Sequence, residues 1–223
     1  MRIDRLDVYH VAMRLRYPWR TSYGEDADIH SLLVKTTCGE HEAWSESTPM
    51  FAPTYMGESA GGAFYHVSKI FGPHVVGREY ETAGELNERL EVFRGNTYAK
   101  AAIEIGWWTL QARMTGTPLH RLLGGRSRPV SVGADFGIQD SFDMLLGNIQ
   151  SAVDAGFPRV KLKIAPGWDL DVLRVVRETF PAITLHVDCN CAYTLDDLAL
   201  FRESDRFTLA FIEQPLGYGD VLD

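Results

Sequence analysis

Lys161 and Lys163, Asp188 and Asn190, and Glu213 interrupt three otherwise apolar stretches of the sequence. Lys163, Asp188 and Glu213 are evenly spaced, 25 residues apart. Because strand side chains alternate, Lys161 and Lys163 share one face and Leu162 takes the other; Asp188 and Asn190 share a face in the same way. Two carboxylates at neighbouring strand ends suit an oxygen-ligated divalent cation, Mg²⁺ or in its place Mn²⁺. Adjacent ammonium groups suit proton transfer, since a like-charged neighbour and burial both lower a lysine pKa. A cation so placed would stabilise the oxyanion formed when a carbon acid beside a carboxylate loses its proton. Any one of these pieces alone fits a solvated strand end. Their order on three successive strands is the specific signal.

The elements that must position these residues are short strands alternating with amphipathic helices. Strands are expected at residues 130–138, 160–164, 183–188 and 208–213, with helices at 141–155, 169–179 and 195–203. Such alternation implies parallel strands joined by right-handed crossovers, with charge tolerated at the carboxyl ends and costly at mid-strand. The first part of the chain reads differently. Residues 3–15, 31–37 and 41–46 are strand-like and form a small meander with a turn at Cys38-Gly39-Glu40. A loop punctuated by Pro53, Gly57, Gly61 and Gly62 precedes helices at 64–71 and 83–93. Asn96 or Thr97 can cap a longer helix that Gly116 and Pro118 end. The fold class is α/β: a capping domain over residues 1–125, then the first four β/α units of a barrel over 126–223.

Composition excludes several roles. The 223 residues carry 30 acidic against 22 basic side chains, a net charge of −8, which offers no general field for nucleic acid or an anionic membrane. No apolar run reaches the ~18 residues of a span, and the acids in Met1–Asp7 do not fit a signal peptide, so a cytoplasmic protein is expected. Cys38, Cys189 and Cys191 are odd in number and read as reduced thiols, the last two packing as small hydrophobes. The seven histidines show no HxxxH or HExxH spacing and read as surface or capping residues. Trp107 and Trp108 read as helix core and interface anchors.

The segments Pro18-Trp19-Arg20-Thr21-Ser22-Tyr23-Gly24, Ala99-Lys100-Ala101-Ala102-Ile103-Glu104, Pro118-Leu119-His120-Arg121-Leu122-Leu123-Gly124-Gly125, Lys161-Leu162-Lys163-Ile164-Ala165-Pro166-Gly167-Trp168-Asp169 and Ile212-Glu213-Gln214-Pro215-Leu216 resemble the enolase superfamily. Within its muconate-lactonizing subgroup, the chain resembles the o-succinylbenzoate synthase and N-acylamino acid racemase family over essentially its whole length. The resemblance implies an α+β capping domain over a modified β/α barrel. It implies that Lys163 is the acid/base, Lys161 its electrostatic neighbour, and Asp188 and Glu213 two of three carboxylates holding Mg²⁺. Asn190 would assist the site, and Ser22, Tyr23, Met50 and Tyr55 would close over a small carboxylate substrate. Such enzymes pass through a metal-stabilised enediolate. The synthase then expels water to give o-succinylbenzoate, a menaquinone precursor, and the racemase reprotonates an N-acylamino acid. Muconate cycloisomerase and dipeptide epimerase are the alternatives within the superfamily.

Three departures from the pattern stand out. Asp135 lies where a small hydroxyl residue is usual, so an acid faces the substrate region unless it pairs with Lys161 or Lys163. Cys189 and Cys191 flank Asn190 where non-thiol residues are commoner. By the same spacing the third carboxylate falls at about position 238, beyond Asp223, and a complete barrel takes ~250 residues. The expectation is therefore a chain of weak or no activity by itself that forms a homo-oligomer, or a non-catalytic product binding a partner over an open sheet edge.

Overall fold

A computed structural model describes residues 1–220. Contacts divide the chain into two units, one comprising Met1–Leu15 and Asp28–Arg128, the other comprising Arg16–Ala27 and the chain from Pro129 onward.

The first unit is built on an antiparallel sheet of order β1 (Arg5–Thr21), β2 (Gly24–Cys38) and β3 (His41–Ser47). Alternation along these strands buries Leu32, Val34 and Thr36 on β2 and Ala43, Ser45 and Ser47 on β3. The buried face of β3 is small and hydroxyl-bearing, which lets the helix α4 (Thr97–Thr115) come close. Ser45 Oγ donates to the Ala102 carbonyl at 2.6 Å and Ser47 Oγ to that of Tyr98 at 3.0 Å. A Cβ at Gly106 would lie 2.5 Å from Thr36 Oγ1, so this contact needs glycine. Ala99, Ala102, Ile103, Trp107 and Leu110 form the buried stripe of α4, at the three-to-four residue spacing of a helix face. Trp108 is partly buried against the same core.

Gly61 and Gly62 do not lie in a loop. Ser59 accepts from Gly62 N–H and caps α1 (Ala60–Tyr65), which runs on as a π-helical turn (His66–Phe71) and α2 (Gly72–Val75). The cap supplies the start signal that glycine content obscured. Next come α3 (Ala83–Leu90), capped by Thr82 accepting from Glu85 N–H, α4, and the short α5 (Leu119–Leu122).

The second unit holds a parallel sheet of order β4 (Ala134–Phe136), β5 (Arg159–Lys163), β6 (Thr184–Asp188) and β7 (Ile212–Glu213). The crossovers are α6 (Phe142–Asp154), α7 (Leu170–Thr179) and α8 (Leu198–Ser204). Leu145 and Ile149 of α6 and Val172, Leu173 and Val176 of α7 pack with Val160, Leu162, Leu185, Val187 and Cys189 of the sheet and its end. The outer two strands are shorter than the apolar pattern predicts. Val130 and Val132 are exposed and unpaired to a strand, and the segment before β7 leaves extended geometry at Thr208, where φ is +52°. Edge strands make ladder hydrogen bonds on one side only, so apolar content alone does not extend them.

The β1–β2 hairpin is longer than its alternating pattern predicts. It continues through charged residues to a tight turn at Ser22 and Tyr23, and the tip, Arg16–Ala27, groups with the second unit. No helix of the described residues is long and apolar enough to cross a membrane.

Candidate active site

Parallel register places the charged strand ends side by side. Asp135 is opposite Lys161, Lys163 is opposite Asp188, and Asp188 is opposite Glu213. Lys163 Nζ donates to Asp188 Oδ2 at 2.7 Å. Lys161 Nζ lies 2.7 Å from the same Oδ2 and donates to Glu213 Oε2 at 2.8 Å. One ammonium thus bridges two carboxylates. The cluster is largely withdrawn from water, Lys163 being 8% and Asp188 1% exposed, which makes its pairing obligatory.

The chain turns sharply just beyond the strand ends. Asn190, Cys191 and Gln214 all have positive φ, at 44°, 64° and 46°. Left-handed backbone at non-glycine positions is strained, and such strain gathers where side chains must be aimed. Here it turns Asn190 N–H onto Asp188 Oδ1 at 3.0 Å, so both oxygens of that carboxylate are engaged. Asn190 Nδ2 faces Gln214 Oε1 at 3.5 Å, and Asn190 Oδ1 is buried without a hydrogen-bond partner among the described residues. A buried acceptor of this kind is costly unless something at the site donates to it.

The hairpin tip reaches the same strand ends. Ser22 Oγ donates to the Cys189 carbonyl at 2.9 Å, with the Asn190 carbonyl 3.3 Å away. Ile138 N–H donates to the Arg20 carbonyl at 2.9 Å, and Arg20 pairs with Asp140 at 2.6 Å. Gly137 permits this approach, because a Cβ there would stand 2.8 Å from the Arg20 carbonyl oxygen. Gly137→Ala is therefore expected to push the tip away and cost about 1–3 kcal/mol, read by urea unfolding, with faster proteolysis between Arg16 and Ala27. Unchanged stability and cleavage would remove the docking role.

Electrostatics correct one expectation. Burial tends to lower the Lys161 pKa, but its hydrogen bonds to Asp188 and Glu213 outweigh that and leave it raised. The like-charged neighbour does not decide the direction, because two carboxylates stand closer. Asp188 is shifted the other way: burial opposes ionisation, and the hydrogen bonds from Lys161, Lys163 and Asn190 N–H hold its pKa below the ordinary value. Asp135 keeps solvent contact and makes no ion pair with either lysine, yet loss of hydration raises its pKa against the pull of Lys163 and Lys161.

Cys189 is fully buried in the core beside the site, whereas Cys191 is partly exposed in the turn. Burial and then the Asp188 charge push the Cys189 thiol up to about 12. A raised folded-state value means that the thiol stays neutral while an unfolded chain would ionise above its usual ~8.5, so stability is lost as pH rises from there. Native protein at pH 8 is expected to leave Cys189 unlabelled by iodoacetamide while urea exposes it, read by peptide mass spectrometry. Equal labelling in both states would contradict this.

Of the residues expected at a site, Lys161, Lys163, Asp188, Asn190, Glu213, Ser22 and Asp135 come together in the second unit. Tyr23 is in the turn beside Ser22. Met50 and Tyr55 belong to the first unit, in residues 48–59, where the Met50 carbonyl accepts from Ala60 N–H. His186 departs from the surface or capping role expected of the histidines: it is 4% exposed on β6, opposite Lys161, stacked on Phe211, and its Nδ1 has no hydrogen-bond partner among the described residues. The signal was present, since His186 shares the face of Asp188 by simple alternation.

Asp188 and Glu213 offer hard oxygen donors that already converge on one positive charge, the Lys161 ammonium, which fits part of a divalent site. Among the described residues no group of three or more His, Cys, Asp or Glu side chains could hold a metal ion.

An antiparallel sheet packed with helices, followed by parallel strands with lysines and carboxylates at their carboxyl ends, defines an enolase-type architecture. The comparisons agree: residues 5–124 match the mandelate racemase / muconate lactonizing enzyme N-terminal domain, and residues 145–223 match the enolase C-terminal domain-like family. The chain belongs to the mandelate racemase / muconate lactonizing enzyme family of the enolase superfamily. It is 39% identical over 223 residues to an N-succinylamino acid racemase of Thermus thermophilus, covering 100% of this chain and 60% of the relative. It is 37% identical over 222 residues to an o-succinylbenzoate synthase of Geobacillus kaustophilus, covering 99% and 59%. A solved enolase-superfamily structure from Listeria innocua superposes with a TM-score of 0.89 at 31% identity, covering 97% of this chain and 59% of that one. The chain thus spans about 60% of the length of the curated relatives it matches. The four-stranded parallel sheet is the corresponding part of the barrel.

Proposed function

We propose that this chain supplies the capping domain, over residues 1–125, and the first catalytic strands, within 126–223, of an enzyme that removes the proton α to a carboxylate, of the o-succinylbenzoate synthase or N-succinylamino acid racemase type. The observation that carries this reading is the convergence of Lys161, Lys163, Asp188 and Glu213 within 2.7–2.8 Å contacts at three successive strand ends. Likeness along the full chain to relatives bearing those two names supports it over the cycloisomerase and epimerase alternatives.

In this reading Lys163 Nζ, as the neutral amine, accepts the α-proton. In a dehydration the same ammonium then gives its proton to the departing hydroxyl, releasing water and restoring the amine. In a racemisation a second acid, not among these side chains, protonates the opposite face of the α-carbon, and Lys163 passes the proton it took to solvent. Lys161 holds positive charge beside the substrate carboxylate and steadies its orientation, and Asn190 Oδ1 accepts a hydrogen bond from a bound donor. Ser22 and Tyr23, at the hairpin tip, exclude water and shape the room for the rest of a small carboxylate substrate. Asp135 sets an acidic edge to that room. Asp188 and Glu213 would hold Mg²⁺, or Mn²⁺, which when bound supplies positive charge to the oxygen that becomes electron-rich as the proton leaves. A cytoplasmic, homo-oligomeric enzyme in menaquinone formation is the matching biological setting; sedimentation would give the oligomeric mass.

The test is a hybrid in which this chain replaces the matched part of the Thermus racemase. It would be incubated with an N-succinylamino acid in D₂O and Mg²⁺ and followed by proton NMR at the α-carbon. Magnesium-dependent exchange supports the reading. A folded hybrid showing no exchange above a heat-killed control would overturn it.

A further inference from the structure

The histidines at positions 10 and 30 form a feature outside this chemistry. They lie on β1 and β2 of the first unit, with His10 Nε2 and His30 Nδ1 facing each other at 3.1 Å. Their ring centroids are 5.3 Å apart and tilted by 53°, and both side chains reach the surface. The His30 ring lies 4.9 Å from Phe51 and the His10 ring 6.3 Å from Phe64. Each imidazole thus has a phenyl ring beside it.

We propose that His10 and His30 form a two-histidine chelate for a borderline divalent transition ion of the Zn²⁺, Ni²⁺ or Cu²⁺ class. Imidazole nitrogens bind such ions at about 2.0–2.1 Å, and two ligands at right-angle to tetrahedral separation then stand roughly 2.9–3.4 Å apart. The observed 3.1 Å separation already falls within that span. Binding therefore requires the bridging proton to move, through solvent, to the far nitrogen of its own ring, leaving His10 protonated at Nδ1 and His30 at Nε2 with both facing nitrogens free for the ion, and the separation already present asks no movement of the strands. Water completes the coordination sphere, because no group of three candidate ligands occurs among the described residues. Nitrogen ligands discriminate against Mg²⁺ and Ca²⁺, so this site is chemically separate from the carboxylates Asp188 and Glu213. The ion ties β1 to β2, the two strands whose hairpin tip carries Ser22 and Tyr23.

The experiment is calorimetric titration of the full chain with ZnCl₂, and separately NiCl₂, in excess Mg²⁺ at neutral pH. One saturable site is expected, weakened about tenfold or more in His10→Ala and in His30→Ala and unchanged in His41→Ala. At a hundredfold excess over its dissociation constant the ion is expected to raise Tm by about 5 °C in the wild type and not in the two variants. Equal Zn²⁺ affinity in wild type and both variants overturns the proposal. Should a variant misfold, the wild-type imidazole proton resonances decide: perturbation of both His10 and His30 by Zn²⁺ supports the chelate, and perturbation of neither overturns it.

Discussion

Lys163→Ala in the hybrid enzyme is expected to lower α-hydrogen exchange by about 10³-fold, within the range that a positioned general base contributes. The expectation rests on position. Lys163 is the ammonium that ends β5, is 8% exposed, and contacts the carboxylate of the next strand at 2.7 Å. A loss of fold would mimic a loss of base, and Lys163→Arg separates the two. Guanidinium keeps the charge beside Asp188 and so keeps most of the stability, but it holds its proton at neutral pH and cannot accept another. Both variants should be inactive, with Lys163→Arg close to wild type in urea midpoint. Exchange within tenfold of wild type in Lys163→Ala would assign the proton transfer elsewhere.

Asp188→Asn is expected to destabilise the chain by about 3–5 kcal/mol, the cost of breaking a buried charge pair from one side. The variant leaves Lys161 with Glu213 but deprives buried Lys163 of the carboxylate it contacts, and one amide oxygen must serve where two carboxylate oxygens received the lysines and Asn190 N–H. The pH dependence has a definite sign. The folded-state pKa of Asp188 is lowered, so the carboxylate's contribution is fully present above the ordinary unfolded value of ~3.9 and is lost as pH falls through the lower folded value. The stability gap between wild type and Asp188→Asn should therefore be flat from about pH 5 to 7 and close only below about pH 4. Urea unfolding across that range measures it. A gap under 1 kcal/mol at neutral pH would mean that the lysines find other partners.

Much of this cluster is legible in the sequence because strand periodicity and equal spacing are local properties. Lys161 and Lys163 share a face wherever β5 lies, and intervals of 25 residues repeat the length of one β/α unit. What the pattern could not give is the state of the charges. Two neighbouring lysines imply a depressed pKa only if nothing negative is closer, and the register that brings Asp188 and Glu213 to Lys161 is a long-range pairing. The same holds for Asn190, whose left-handed backbone and unsatisfied Oδ1 follow from the turn after β6. The hairpin reaching Ser22 also extends beyond its alternating pattern. Charged residues hide alternation on a strand that is exposed on both faces, and only its contacts with Ile138 and Asp140 reveal where the tip belongs.

The order of elements, the class of fold, and the identities of the lysines and carboxylates available at the strand ends are legible along the chain, because each follows from composition and period. Tertiary structure alone decided that Lys161 bridges two carboxylates, that Gly137 admits the hairpin, and that His10 meets His30. These are distances between residues far apart in sequence, and only the packed sheets set them.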